Sequence, residues 1–144
     1  MRIMCDTNVL VRTVLSPDGA AAELLRLIAR EHLLVLSLPV LAELYDVLRR
    51  PRIRDLHRLS EPQIRRIVSR LSKLGILVPL PSNLPMSVPR DPKDDPILMT
   101  AIAGKADVLC TLDRHLHDPS VTALCANHSV RVLRDAELLA ELRT

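Results

Sequence analysis

Three short apolar runs, each leading through a polar residue into a helix-forming segment, constrain this chain more than any other feature. Arg2–Cys5, Leu33–Leu38 and Asp107–Thr111 are apolar in their middles, not alternating, and Ser129–Leu133 is expected as a last strand. A strand that is apolar on both sides needs cover on both sides, which is the condition of a parallel sheet. The connecting segments carry helical spacing. Ala21, Leu24, Leu25 and Ile28 place one buried face on Ala20–Arg30. Strands alternating with helices of this length predict a three-layer α/β/α sandwich with a central parallel sheet. With 144 residues, the chain is expected to form a single domain over 1–144.

Local signals fix further boundaries. The first helix is expected near Asn8, because Asp6, Thr7 and Asn8 are all N-cap types. Pro39 suits the first turn of a helix over Val40–Leu48, and Pro51 stops it. Ser60 and Gln63 have the spacing of a capping box, opening a helix that runs to Leu74 with Gly75 as its C′ residue. Ile76–Leu80 is a candidate short strand. Six of the eleven prolines then fall between Pro79 and Pro96, predicting an extended surface connection. Asp95 is expected as the N-cap and Pro96 as the first residue of a helix through Ala103, which ends at Gly104. A helical or irregular segment reaches Cys125, and the last helix is expected over Asp135–Leu142.

The core has an unusual composition. Apolar residues make up 48% of the chain, but there is no Phe or Trp and Tyr45 is the only aromatic. Leu, Ile, Val, Ala and Met must therefore fill it, and a base-stacking single-strand platform is disfavoured. Cys5, Cys110 and Cys125 form no CxxC pair and no even-numbered framework, and the first two are expected as buried free thiols. Met1–Cys5 is too short for a leader, and no apolar run approaches a membrane span. A reducing cytoplasm and no membrane partner are expected.

Charge is unevenly spread. Between Arg49 and Lys73 nine basic residues face only Asp55 and Glu61, a local excess of seven in a chain whose net charge is +3. The remainder therefore carries −4. A basic middle on an otherwise acidic molecule points to an anionic partner, and Arg49, Arg50, Arg52 and Arg54 are the candidates to contact a nucleic-acid backbone.

In parallel α/β sheets, functional groups gather beyond the carboxyl ends of the strands. Asp6 ends the first strand, and Asp113 lies two residues past a later one. Asp95 opens the helix leading into that later strand, and Glu43 lies one turn into the helix after the second strand. Four carboxylates meeting at one rim repel one another unless cations neutralise them. Oxygen-only ligands favour Mg²⁺ or Mn²⁺ over zinc. A carboxylate-held metal site surrounded by basic surface suits hydrolysis of a phosphodiester.

At these residues the sequence resembles the PIN-domain family, and within it the VapC-like toxins of prokaryotic toxin–antitoxin pairs. Asp6-Thr7-Asn8-Val9-Leu10, the glutamate of Ser37–Leu44, the Asp95–Ala103 helix and Thr111-Leu112-Asp113 carry the resemblance, which spans residues 3 to about 133. It implies a PIN-like fold and an endoribonuclease using Mg²⁺ or Mn²⁺ on single-stranded or structured RNA. The products would be a 5′-phosphate and a 3′-hydroxyl. It also implies a homodimer and an antitoxin partner. The implied catalytic acids are Asp6, Glu43, Asp95 or its neighbour Asp94, and Asp113. Asp6, Asp95 and Asp113 would hold the metal, supported by Asn8. Asp91 is expected to shape the loop before Pro92.

Each acid taken singly has a commoner use: Asp6, Asp94 and Asp95 as helix caps, Asp113 as a turn residue beside Arg114, Glu43 as a solvated helix residue. The four in order favour the site. Two other functions compete. One is a non-catalytic RNA- or partner-binding module on the same fold. The other is an aspartyl-phosphate phosphohydrolase, whose chemistry wants Asp-x-Asp where this chain has Asp6-Thr7-Asn8. The five histidines have no ligand spacing with the cysteines and are expected at surface or loop positions.

Overall fold

A computed structural model describes residues 1–80 and 95–144, with Asp95 described in its backbone alone. In chain order the elements are β1 (Arg2–Cys5), α1 (Thr7–Leu15), α2 (Ala20–Glu31), β2 (Leu33–Leu36), α3 (Leu38–Leu48), α4 (Pro51–His57), α5 (Glu61–Leu74) and β3 (Ile76–Leu77). There follow α6 (Asp95–Ala103), β4 (Val108–Cys110), one turn of 3-10 helix (Arg114–His117), α7 (Pro119–Asn127), β5 (Arg131–Leu133) and α8 (Asp135–Leu142). The strands form one sheet in the order β3-β2-β1-β4-β5, and every pairing is parallel. The helices flank it, giving the expected α/β/α sandwich. The proline-rich connection, Asp91 and Asp94 lie outside the described residues.

Continuous apolar runs became the middle of the sheet. Ile3, Met4 and Cys5 of β1, Leu34, Val35 and Leu36 of β2, and all three residues of β4 are buried. Successive strand residues point to opposite faces, so this burial requires cover on both. Among the described residues the buried core has no aromatic side chain, Cys5 and Cys110 are buried free thiols, and Cys125 is buried as well.

Several local signals took a different form. Pro51 does not simply end a helix: α3 stops at Leu48, and Pro51 is the first residue of α4, a position where its missing N–H costs nothing. This helix buries no residue. Its last residue, His57, accepts a hydrogen bond from the Leu59 amide at Nδ1 (2.9 Å) and donates from Nε2 to the Leu48 carbonyl (2.8 Å), which ties it back to α3. The Ser60–Gln63 capping box forms as expected, Ser60 Oγ accepting from the Gln63 amide and Gln63 Oε1 from the Ser60 amide. Gly75 follows α5, but its φ of −90° is not left-handed. A Cβ there would meet Leu36 Cδ1 at 2.8 Å, so glycine is needed for close approach to β2. The helix expected to begin at Pro96 begins one residue earlier, at Asp95.

Candidate active site

Cys5 and Cys110 are register partners in β1 and β4, so the chain leaves both strands at the same height. The two exits are stitched together. The Asp6 amide donates to the Cys110 carbonyl at 2.9 Å. Asp6 is the N-cap of α1, and its Oδ1 accepts from the Thr7 amide at 2.6 Å. Its Oδ2 accepts from the Thr111 hydroxyl at 2.7 Å. The same hydroxyl oxygen accepts from the Asp113 amide at 3.0 Å, and His117 Nε2 donates to the Thr111 carbonyl at 2.8 Å. Thr111 thereby fixes both the first acid and the loop that carries the last.

Capping and site-building are not alternatives here. Asp6 caps α1 and still keeps acceptor capacity, since each carboxylate oxygen accepts only one of these bonds. Asp113 likewise caps the 3-10 turn, its Oδ1 accepting from the His115 amide at 2.9 Å. Asn8 Oδ1 accepts from the Leu112 amide at 3.4 Å, joining the start of α1 to the same loop.

Electrostatics reveals the convergence. Burial pushes the Asp6 carboxyl up to about 6, against the pull of the Thr111 and Thr7 hydrogen bonds. The negative charges of Glu43 and Asp113 push it the same way as burial. Glu43 and Asp113, far from Asp6 in sequence, thus lie near enough for their charges to be felt at the carboxyl end of β1. Among the described residues, no Lys or Arg forms an ion pair with Asp6. The Thr7 hydroxyl beside it is buried and has no hydrogen-bond partner.

α6, where the sequence predicts the third acid, is tied to the end of β2 through two buried hydroxyls. Ser37, immediately after β2, lies with its Oγ 2.7 Å from Thr100 Oγ1, which donates to the Pro96 carbonyl at 2.5 Å. Pro96 follows Asp95 in the first turn of α6. Thr111, Ser37 and Thr100 were missed from the sequence, where a hydroxyl inside or beside an apolar run reads as a tolerated core residue.

A PIN domain family model matches residues 2–115. The chain belongs to the PIN domain family. No curated protein matches the sequence. Among solved structures, the PIN domain is similar to a chain in the crystal structure of VapBC2 from Rickettsia felis bound to a DNA fragment from their promoter. That similarity has a TM-score of 0.61 and 16% identity, and it covers 93% of this chain and 98% of the other. It establishes a shared fold.

The donor set of this PIN domain suits a hard divalent cation. The groups there are carboxylate, amide and hydroxyl oxygens, and a buried carboxylate that feels the negative charge of two others gains from a positive ion. Among the described residues no three His, Cys, Asp or Glu side chains close into a metal-holding group. Asp94 and the side chain of Asp95 lie outside the described residues.

Of the predicted backbone-binding arginines, Arg49 is engaged within the protein. Its guanidinium sits 4.9 Å above the Tyr45 ring and pairs with Glu61 at 3.2 Å. Tyr45 also donates to Glu61, and Arg65 reaches it at 3.4 Å. Arg50, Arg52 and Arg54, at the start of α4, are exposed. That helix packs against α1, the helix that Asp6 caps.

Proposed function

We propose that this PIN domain is a Mg²⁺- or Mn²⁺-dependent endoribonuclease and the toxin of a toxin–antitoxin pair. The observation that carries the proposal is Asp6: a carboxyl raised chiefly by burial and further by the charges of Glu43 and Asp113, with no cationic side chain paired to it among the described residues.

Asp6, Asp113 and Asp95 (or Asp94) are the metal ligands in this proposal. The bound ion would lower the pKa of a water and neutralise charge on the scissile phosphate. Glu43, half-buried on α3, orients the attacking water and takes its proton, or serves a second ion. Asn8 holds the loop before Asp113 in place. Arg50, Arg52 and Arg54, with Arg49 behind them, contact the phosphates of single-stranded or structured RNA on either side of the cut.

The similar structure from Rickettsia felis is a VapBC2 assembly on promoter DNA, which supports an antitoxin as the protein partner here, with a homodimer and a cytoplasmic location as parts of the same proposal. Among the described residues no helix is long and apolar enough to cross a membrane.

The test is cleavage of single-stranded RNA and transfer RNA by purified protein with Mg²⁺, Mn²⁺ or a chelator. Metal-dependent cleavage giving 5′-phosphate ends, abolished in a folded Asp6→Asn variant, is expected. Cleavage that persists in the chelator or in that variant would refute the proposal.

A further inference from the structure

Ser37 is the N-cap residue of α3, with extended backbone angles, yet its hydroxyl makes no capping hydrogen bond. Serine at this position ordinarily accepts from an N2 or N3 amide, a contact worth about 1 kcal/mol. Pro39 in the first turn removes one of those amides, but the Val40 amide remains. The hydroxyl is used elsewhere. Ser37 and Thr100 are both fully buried, with their oxygens 2.7 Å apart. Thr100 commits its single hydroxyl proton to the Pro96 carbonyl at 2.5 Å. A hydroxyl has one proton to give, so Ser37 must be the donor between the two. The result is a directed chain, Ser37 to Thr100 to Pro96, running from the end of β2 into the first turn of α6.

Beside this hydrogen-bonded chain, α6 is held in the core by apolar packing of Ile97, Leu98 and Ala101, which are buried. Such packing is non-directional and specifies the height of a helix along a strand less sharply than a hydrogen bond does. α6 begins at Asp95, and the helix that Ser37 opens carries Glu43. The chain of hydroxyls thus joins the two helices that bear the second and third acids.

We propose that Ser37 and Thr100 form a positioning strut that sets the first turn of α6, the turn that begins at Asp95, relative to the end of β2 and the helix that carries Glu43, and so tunes affinity for the divalent cation. This rests on the nuclease proposal above. Two variants isolate the strut. Ser37→Ala cuts it while leaving the Thr100–Pro96 bond. Thr100→Val is close to isosteric and frees the Ser37 hydroxyl to turn to the Val40 amide, which offsets the lost bond in overall stability. Thr100→Ser keeps the donor and the acceptor.

The experiment measures Mn²⁺ binding by titration calorimetry, metal-free thermal unfolding, and RNA cleavage as a function of Mn²⁺ concentration, with Asp6→Asn as the control. Ser37→Ala and Thr100→Val are expected to weaken Mn²⁺ binding about fivefold, the effect of one lost hydrogen bond. Half-saturation by Mn²⁺ rises in step while kcat at saturating metal stays near wild type, and Thr100→Ser restores wild-type affinity. If wild type binds Mn²⁺ and Asp6→Asn does not, but both strut variants bind as wild type does, the strut proposal is overturned and the nuclease proposal stands. If wild type itself neither binds Mn²⁺ nor cleaves RNA, both fall.

Discussion

The Thr111 hydroxyl donates to Asp6 Oδ2 at 2.7 Å while its oxygen accepts from the Asp113 amide at 3.0 Å. One side chain at the end of β4 therefore stabilises the ionised form of the first acid and fixes the backbone of the last. Replacing it with Val removes the donor that pulls the Asp6 carboxyl down. In Thr111→Val, the Asp6 midpoint is expected to rise above its value of about 6, read from the carboxyl ¹³C shift in an NMR titration of metal-free protein. Thr111→Ser should titrate like wild type. An unmoved midpoint in the valine variant would show that Thr111 does not hold the carboxylate.

Asp6 also sets the pH dependence of the metal-free fold. Its carboxyl is raised from 3.8 to about 6, so folding disfavours the charged form, chiefly through burial. The destabilisation is complete above pH 6 and is relieved as pH falls toward 3.8, where the unfolded chain also takes up the proton. Metal-free wild type should gain stability between pH 7 and pH 5, against the usual acid trend. Asp6→Asn should lack that gain and be more stable than wild type at pH 7 by about 2 kcal/mol, the order set by two pKa units less the weakened Thr111 contact. Added Mn²⁺ should raise the Tm of wild type and leave that of Asp6→Asn unchanged. Urea melts across this pH range check the sign. A variant less stable than wild type at every pH would contradict it.

What was legible in the sequence follows the range of the forces involved. β1, β2 and β4 were readable because burial on both faces leaves an uninterrupted apolar run, and the Ser60–Gln63 box because its partners are three residues apart. Asp6 and Asp113 were readable because a parallel sheet sends every strand end to the same rim. α4 was not, since it has no fully buried residue and only Ile53 of its apolar side chains packs on the core, too little to make an apolar period. Pro51 was read only as a stop. The same holds for Gly75, whose role depends on Leu36 across the sheet, and for the Ser37–Thr100 pair, 63 residues apart. A hydroxyl is silent in sequence until its partner is known.

The exposed arginines of α4 give a prediction independent of the metal. Arg50, Arg52 and Arg54 carry no buried contacts, so replacing all three with Gln should leave the fold intact while weakening RNA binding at low salt. Each phosphate contact on single-stranded RNA adds about 0.7 to the slope of log affinity against log salt. The triple variant should therefore lose about two of that slope, measured by fluorescence anisotropy with labelled RNA in Ca²⁺ to prevent cleavage. Arg49→Gln should behave differently, because its guanidinium is held by Tyr45 and Glu61. It should lower Tm slightly and change the slope less than any one of the three. An unaltered slope in the triple variant would move the RNA path off α4.

A further acid, beyond the end of β5, is paired where Asp6 is not. Asp135, the first residue of α8 directly beyond β5, has a side chain only 6% exposed, and Arg12 of α1 pairs with it at 3.1 Å. The Ala136 amide adds a second bond at 2.8 Å, and the N-terminus of α8 favours a negative charge. The pair is asymmetric, because Arg12 is 54% exposed and loses little hydration when its partner is removed. Arg12→Ala strands a buried carboxylate and should cost about 2 kcal/mol, below the loss for a fully buried pair because water reaches the guanidinium side. Asp135→Asn leaves only a solvated arginine and an amide that still accepts from Ala136, so it should cost less than half as much. Equal costs in urea melts at pH 7 would show the pair to be a surface contact. The expected inequality would mark Asp135 as an acid neutralised by the protein itself, in contrast to Asp6, whose charge no described cationic side chain balances.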